Sequence, residues 1–200
     1  MKKILVWDFP TRVFHWLLAL SFLGAFVTGD SEYYRDLHLM FGYTLLGLIV
    51  FRLVWGLIGT NYARFSSFLY SPSRVFAYLK AFPTRSRGHY IGHNPAGSWA
   101  IYAILSLGLT AGLSGYATYY ELGGEWLEEL HEGAANAMLA VVLVHILGVF
   151  VSSFLHHENL VRSMLTGYKS GEPIAAIRHA HWLIGASLLS IVLAYWTGLL

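Results

Sequence analysis

The chain has 200 residues, of which 56% are hydrophobic and only 12% charged, with a formal net charge of +2 and a mean hydropathy of +0.53. Soluble domains carry charge on about a quarter of their residues, so an ordinary soluble domain is excluded, and no nucleic-acid partner is expected. Cysteine is absent, which removes disulfides, thiolate-held iron–sulfur clusters, cysteine zinc sites and haem attached covalently through C-x-x-C-H.

The N-terminal "MKKILV" could open a signal peptide, but Asp8, Pro10, Arg12 and His15 interrupt the apolar run and no small-residue cleavage site follows. The segment therefore reads as a retained first span. Apolar stretches then fall at Val13–Gly29, Leu37–Gly59, Ser98–Thr118, His131–Leu155 and His181–Leu200. Each is long enough, with some tilt, to cross about 30 Å of hydrocarbon at about 1.5 Å per residue. The expected fold is all-α: an integral membrane bundle with a four-helix core over residues 1–170 and a fifth transmembrane helix in 171–200. Between spans two and three, "SPSRVFAYLKAF" starts with Ser71 and Pro72 and brings Val75, Phe76, Leu79 and Phe82 on or near one face. It reads as a short interfacial helix or, equally, a docked cytoplasmic turn.

Charge sorts by side. Lys2, Lys3 and Arg12 precede span one; Arg64, Arg74, Lys80, Arg85 and Arg87 lie between spans two and three; Arg162, Lys169 and Arg178 lie between spans four and five. The other two connections hold Asp30, Glu32 and Asp36, and Glu121, Glu125, Glu128 and Glu129, with Arg35 their one base. Basic residues stay cytoplasmic, so the N-terminus is expected inside and the C-terminus outside.

Ionisable groups inside a membrane are costly and face a bundle interior or a cofactor. His38 and His131 both begin spans at the outer edge. His145 lies 14 residues beyond His131, about 21 Å deeper, and returns to within about 40° of the same face. His15, in a span running the other way, is 15 residues before Asp30, about 22 Å below the same edge. His15 with His145, and His38 with His131, thus share two levels. Arg52 repeats the 14-residue step from His38, and no acidic residue lies at its depth in any span, so a ligand is expected to supply its counter-charge.

Two imidazoles at each of two levels, with an uncompensated arginine, suit two bis-histidine b-type haems, whose propionates an arginine could pair. Arg12 and Trp16 near His15 join Arg52 as pocket candidates. Gly42 and Gly148, each about a turn from a histidine, would admit a porphyrin edge or serve as helix-packing glycines. Zinc would be under-coordinated by two histidines, and a proton relay would ordinarily include intramembrane carboxylates. The remaining histidines, His89, His93, His156, His157, His179 and His181, lie at span ends, where polar residues reach the interface.

"WDFPTRVFHW" (Trp7–Trp16), "LHLMFGYTLLGLIVFRLVWG" (Leu37–Gly56), "GHNPAG" (Gly92–Gly97) and "HHENLVRSMLTG" (His156–Gly167) resemble the prokaryotic cytochrome b561 family, in the branch of Ni/Fe-hydrogenase b-type cytochromes. The resemblance implies a four-helix core with two haems, ligated from helices one, two and four, which maps onto the same four histidines. It also implies electron relay between the quinone pool and a redox partner, either a periplasmic c-type cytochrome or a dehydrogenase or hydrogenase subunit. The acidic stretch Glu121–Glu132 would steer a basic partner or equally be a solvated loop kept outside. A superoxide:quinone oxidoreductase, known in the same family, and a haem-free transporter remain the alternatives.

Overall fold

Asp8 starts the first long helix: its Oδ1 accepts the Thr11 N–H at 2.8 Å, and Pro10 occupies the first turn. In the computed structural model, which describes residues 2–81 and 90–199, this gives α1 (Phe9–Thr28) after a short strand β1 (Lys2–Leu5). There follow α2 (Arg35–Ile58), α3 (Pro72–Ala81), α4 (Pro95–Tyr119), α5 (Trp126–His156), α6 (Leu160–Thr166), β2 (Tyr168–Gly171) and α7 (Trp182–Trp196). Asn94 caps α4 as Asp8 caps α1, accepting the Gly97 N–H at 2.7 Å. The four long helices begin earlier than their apolar runs, because polar caps such as Asp8 and Asn94 and first-turn acids such as Glu128 and Glu129 adjoin or belong to them.

Among the described residues, four helices (α1, α2 with its preceding turn, α4 and α5) are long and apolar enough to cross a membrane. The chain is a multi-pass membrane protein. α5, with 31 residues, is about 46 Å long and overruns the hydrocarbon. α7 has 15 residues, about 22 Å, and the last residue of the expected fifth span, Leu200, lies outside the described residues. α7 nevertheless follows α1 along the bundle. Its first residue, Trp182, packs on Phe9, and near its other end Trp196 packs on Phe41 and donates Nε1–H to Thr44 Oγ1 at 2.9 Å.

α1 packs on α2 and α7, α2 on α4, and α4 on α5. The shared core joins Phe14, Leu17 and Phe22 of α1 with Leu45, Leu48 and Ile49 of α2, Leu105 of α4 and Met138 of α5. Small residues permit the close crossings, as in lipid-embedded bundles generally: Gly24 lies under the Phe41 ring, and Gly108 under Ile49 and Met138. Among the described residues α5 has no sustained contact with α1 or α2. Those faces approach one another through histidines. The outward side of α5 exposes Leu143, Val144, Leu147, Phe150 and Phe154, a surface for lipid.

The basic end of the bundle is closed by a feature absent from the sequence expectations. β1 pairs antiparallel with β2, Lys2 opposite Gly171 and Leu5 opposite Tyr168. Ile4, Val6 and Trp7 form a small second core there with Tyr62, Ile91 and Met164. Gly167 turns the chain into β2 at φ +88°, and a Cβ would stand 2.8 Å from the Trp7 carbonyl oxygen, so only glycine suits the position. Lys169 and Glu158 form a largely buried ion pair at 3.1 Å beside this cap.

α3 forms where its start signals place it, but its inward residues are Val75 and Tyr78, while Phe76 and Leu79 are exposed. α3 docks against α4, and its exposed apolar residues Phe76 and Leu79 are compatible with an interfacial helix. Phe82, Arg85, Arg87 and His89 lie outside the described residues.

Candidate functional site

At the acidic end, His38 in the first turn of α2 and His131 near the start of α5 bring their rings to 5.9 Å between centroids, inclined at 81°. Each ring is held by a neighbouring helix. His38 Nδ1 is 2.9 Å from the Ala25 carbonyl oxygen of α1, and His131 Nδ1 is 2.8 Å from that of Ala111 on α4. A carbonyl only accepts, so each Nδ1 carries a proton, and in the neutral imidazole Nε2 then keeps its lone pair. That is the form in which imidazole binds a metal, with the outer hydrogen bond fixing tautomer and ring orientation. Gly115 makes the arrangement possible, since a Cβ there would stand 2.7 Å from His131 Nδ1.

Gly115→Ala is therefore expected to push the His131 ring off the Ala111 carbonyl. Any metal cofactor at this level should then bind about 10–100-fold more weakly, the usual cost of losing such an outer-shell bond. Cofactor retention during detergent dialysis of the variant checks this; unchanged retention would show that the contact does not orient the ring.

At the basic end, His15 of α1 and His145 of α5 lie within electrostatic reach of one another. His15 Nδ1 is buried with no protein partner, and the Trp16 ring stands perpendicular to the imidazole at 5.0 Å. Trp16 Nε1 donates to the Met164 carbonyl at 3.4 Å, and Arg12 Nη1 to that of Leu165 at 2.7 Å. Arg12 also lies over the rings of Phe9 and Trp182, leaving only its Nε buried without a partner. Arg12 thus ties the α6 turn to α1 as well as lining this level.

Arg52 is 3% exposed, with its guanidinium carbon 4.6 Å from the Phe65 ring centroid and 6.0 Å from those of Phe14 and Phe68; Nη1 has no partner. The sequence expectation that the chain supplies no counter-charge needs correction. Asp8, just outside the first apolar run, is 1% exposed and lies within electrostatic reach of both Arg52 and Arg12. No direct Asp8–Arg52 ion pair forms, because the carboxylate is already engaged by the Thr11 N–H, Trp55 Nε1–H at 3.2 Å and the Thr60 hydroxyl.

Gly42 and Gly148 have no atom within 4 Å of where a Cβ would stand. They are not the glycines that bring helices together, and the space beside them could take a flat group. The packing positions are instead Gly24, Gly56, Gly108, Gly112 and Gly185.

His93, placed by the sequence at a span end, is drawn into the basic-end site. Its ring lies between Trp7 at 4.7 Å and Phe68 at 4.5 Å, and its Nδ1 is buried without a partner. Burial first, then the nearby Arg52, His145, Lys169 and His15, push its pKa down to about 3, so the imidazole is neutral at pH 7. The available signal was depth: His93 directly precedes the basic end of α4, the level of His15 and His145.

Each level offers one pair of imidazoles from facing helices, with His93 near the basic-end pair, and no group of three His, Asp or Glu that could hold a metal occurs among the described residues. Such pairs suit a metal whose other ligands arrive on a macrocycle. The ligand-ready Nε2 atoms, the open space at Gly42 and Gly148 and the unpaired donors of Arg12 and Arg52 all suit haem.

Residues 6–167 match the family model described as prokaryotic cytochrome b561. The chain is similar to the probable Ni/Fe-hydrogenase B-type cytochrome subunit of Azotobacter chroococcum mcd 1, with 24% identity over 83% of this chain and 88% of that protein. The probable subunits from Rhodobacter capsulatus (23%, covering 84% and 82%) and Rhizobium leguminosarum bv. viciae (22%, covering 83% and 88%) are similar in the same way. No solved structure matches the chain.

Proposed function

This chain belongs to the prokaryotic cytochrome b561 family of membrane b-type cytochromes that act in electron transfer, and we propose that it relays electrons between two haems across the bacterial inner membrane. His15 and His145 would hold the inner haem, and His38 and His131 the outer one. A haem at each level would supply one-electron redox chemistry. The chain's part is positioning: α5 carries one ligand of each pair 14 residues apart, about 21 Å along the axis. Arg52 and Arg12 offer donors to carboxylates, while the apolar rings around Arg52 exclude water. The basic end, with Lys2, Lys3 and Arg64, is read as cytoplasmic by the positive-inside rule. α7 is read as a fifth crossing, which leaves the C-terminus periplasmic.

The electron partners are a quinone and a second redox protein. The names of the similar proteins favour a hydrogenase subunit as that partner, with a c-type cytochrome or another dehydrogenase as the other choices. The acidic stretch containing Glu125, Glu128, Glu129 and Glu132 would favour a basic docking face.

The observation that carries the reading is the pair of Nδ1–H bonds that leave His38 and His131 with free Nε2 atoms. A pyridine haemochrome assay on detergent-purified protein is expected to return two b-type haems per chain. One haem would overturn the two-level reading, and none would overturn haem binding altogether.

A further inference from the structure

Arg52 and His93 are buried donors from different parts of the chain that share one aromatic wall. Arg52 projects from α2, and among the described residues no carboxylate lies within ion-pair distance of it. Asp8, the nearby acid, is already occupied by its own donors. His93 immediately precedes the α4 cap, where Asn94 and Pro95 fix the backbone and the Tyr70 hydroxyl donates to the His93 carbonyl at 3.2 Å. Phe68 contacts both groups, standing 4.5 Å from the His93 ring and 6.0 Å from the Arg52 guanidinium carbon. Trp7 holds the other side of the imidazole. Arg52 Nη1 and His93 Nδ1 are both buried without partners, and His93 is within electrostatic reach of Arg52, His15 and His145.

Two unsatisfied nitrogens in an aromatic enclosure are costly unless an acceptor meets them. The guanidinium fork matches a planar carboxylate, and a second, off-axis donor would fix that carboxylate's orientation. We infer that Arg52 and His93 form a two-point clamp for one propionate of the inner haem, an inference that rests on the dihaem reading above. His93 is then a positioning residue, with its neutral imidazole carrying the donated proton on the nitrogen that faces the carboxylate. The clamp would favour the reduced haem, because it offsets propionate charge that otherwise stabilises the ferric state.

The test compares His93→Phe, His93→Gln and Arg52→Gln by redox titration and resonance Raman spectroscopy of the purified cytochrome. His93→Phe preserves the aromatic stack without the donor, while His93→Gln restores a donor. In His93→Phe the reduction equilibrium of the inner haem is expected to fall about tenfold, about 59 mV for one electron, with a shifted propionate deformation band and an unchanged outer haem. Arg52→Gln should move both readouts the same way, and His93→Gln should recover part of each. An inner haem with its original potential and propionate band in both His93→Phe and Arg52→Gln overturns the clamp while leaving the dihaem reading intact. Loss of the inner haem from His93→Phe that His93→Gln fails to restore also overturns it. Fewer than two haems in the unsubstituted protein would instead be a failure of the dihaem reading.

Discussion

A chain carrying His131→Ala is expected to bind one haem instead of two, and the survivor should be the inner one. His131 is the imidazole that α5 offers at the outer level, and its Nδ1–H bond to Ala111 shows how firmly that level is organised around it. Alanine leaves His38 facing no second donor, and truncating a metal ligand costs more than disturbing the bond that orients it. His15→Ala is expected to give the reciprocal result, losing the inner haem and keeping the outer one. Haemochrome stoichiometry, with low-temperature spectra to tell the two haems apart, checks both. If His131→Ala lost the inner haem alone, the proposed pairing would be wrong.

Asp8→Ala is expected to lower stability by about 3 kcal/mol. The substitution deletes the α1 cap, typically about 1 kcal/mol, and leaves the buried Trp55 N–H and the Thr60 hydroxyl without their acceptor, at about 1–3 kcal/mol for such groups. It also removes an acid within electrostatic reach of both Arg12 and Arg52. Thermal unfolding in detergent should show a midpoint roughly 6–12 °C lower, by the scaling for chains of this size. Asp8→Asn, which keeps a cap acceptor but not the charge, should lose less. Equal losses in the two variants would mean that the charge, rather than the cap, carries the effect.

The four spans were legible because hydrocarbon demands about twenty apolar residues in a row, and few other structures do. Their starts were less so. α5 begins at Trp126 rather than His131 because Glu128 and Glu129 belong to its first turn, where acids are favourable. The strand pair between Lys2–Leu5 and Tyr168–Gly171 left no trace in either four-residue segment. Such short strands are specified by the partner they meet. Tyr78 of α3 is buried for a related reason, since α3 docks against α4 and its own segment does not single that residue out.

The site divides along the same line. The sequence alone determined the two levels, because a helix rises by a constant amount per residue and turns by a constant angle, so histidine depths can be computed before any packing is known. It could not reveal that Ala25 and Ala111 offer carbonyls to the paired imidazoles. Nor could it show that Asp8 folds back toward Arg52, or that His93 enters between Trp7 and Phe68. Those facts belong to the tertiary structure, because they depend on how far apart neighbouring helices stand and how they are rotated. Side-chain volumes and small residues such as Gly24, Gly108 and Gly115 set that spacing and rotation, and no period within a single segment encodes it.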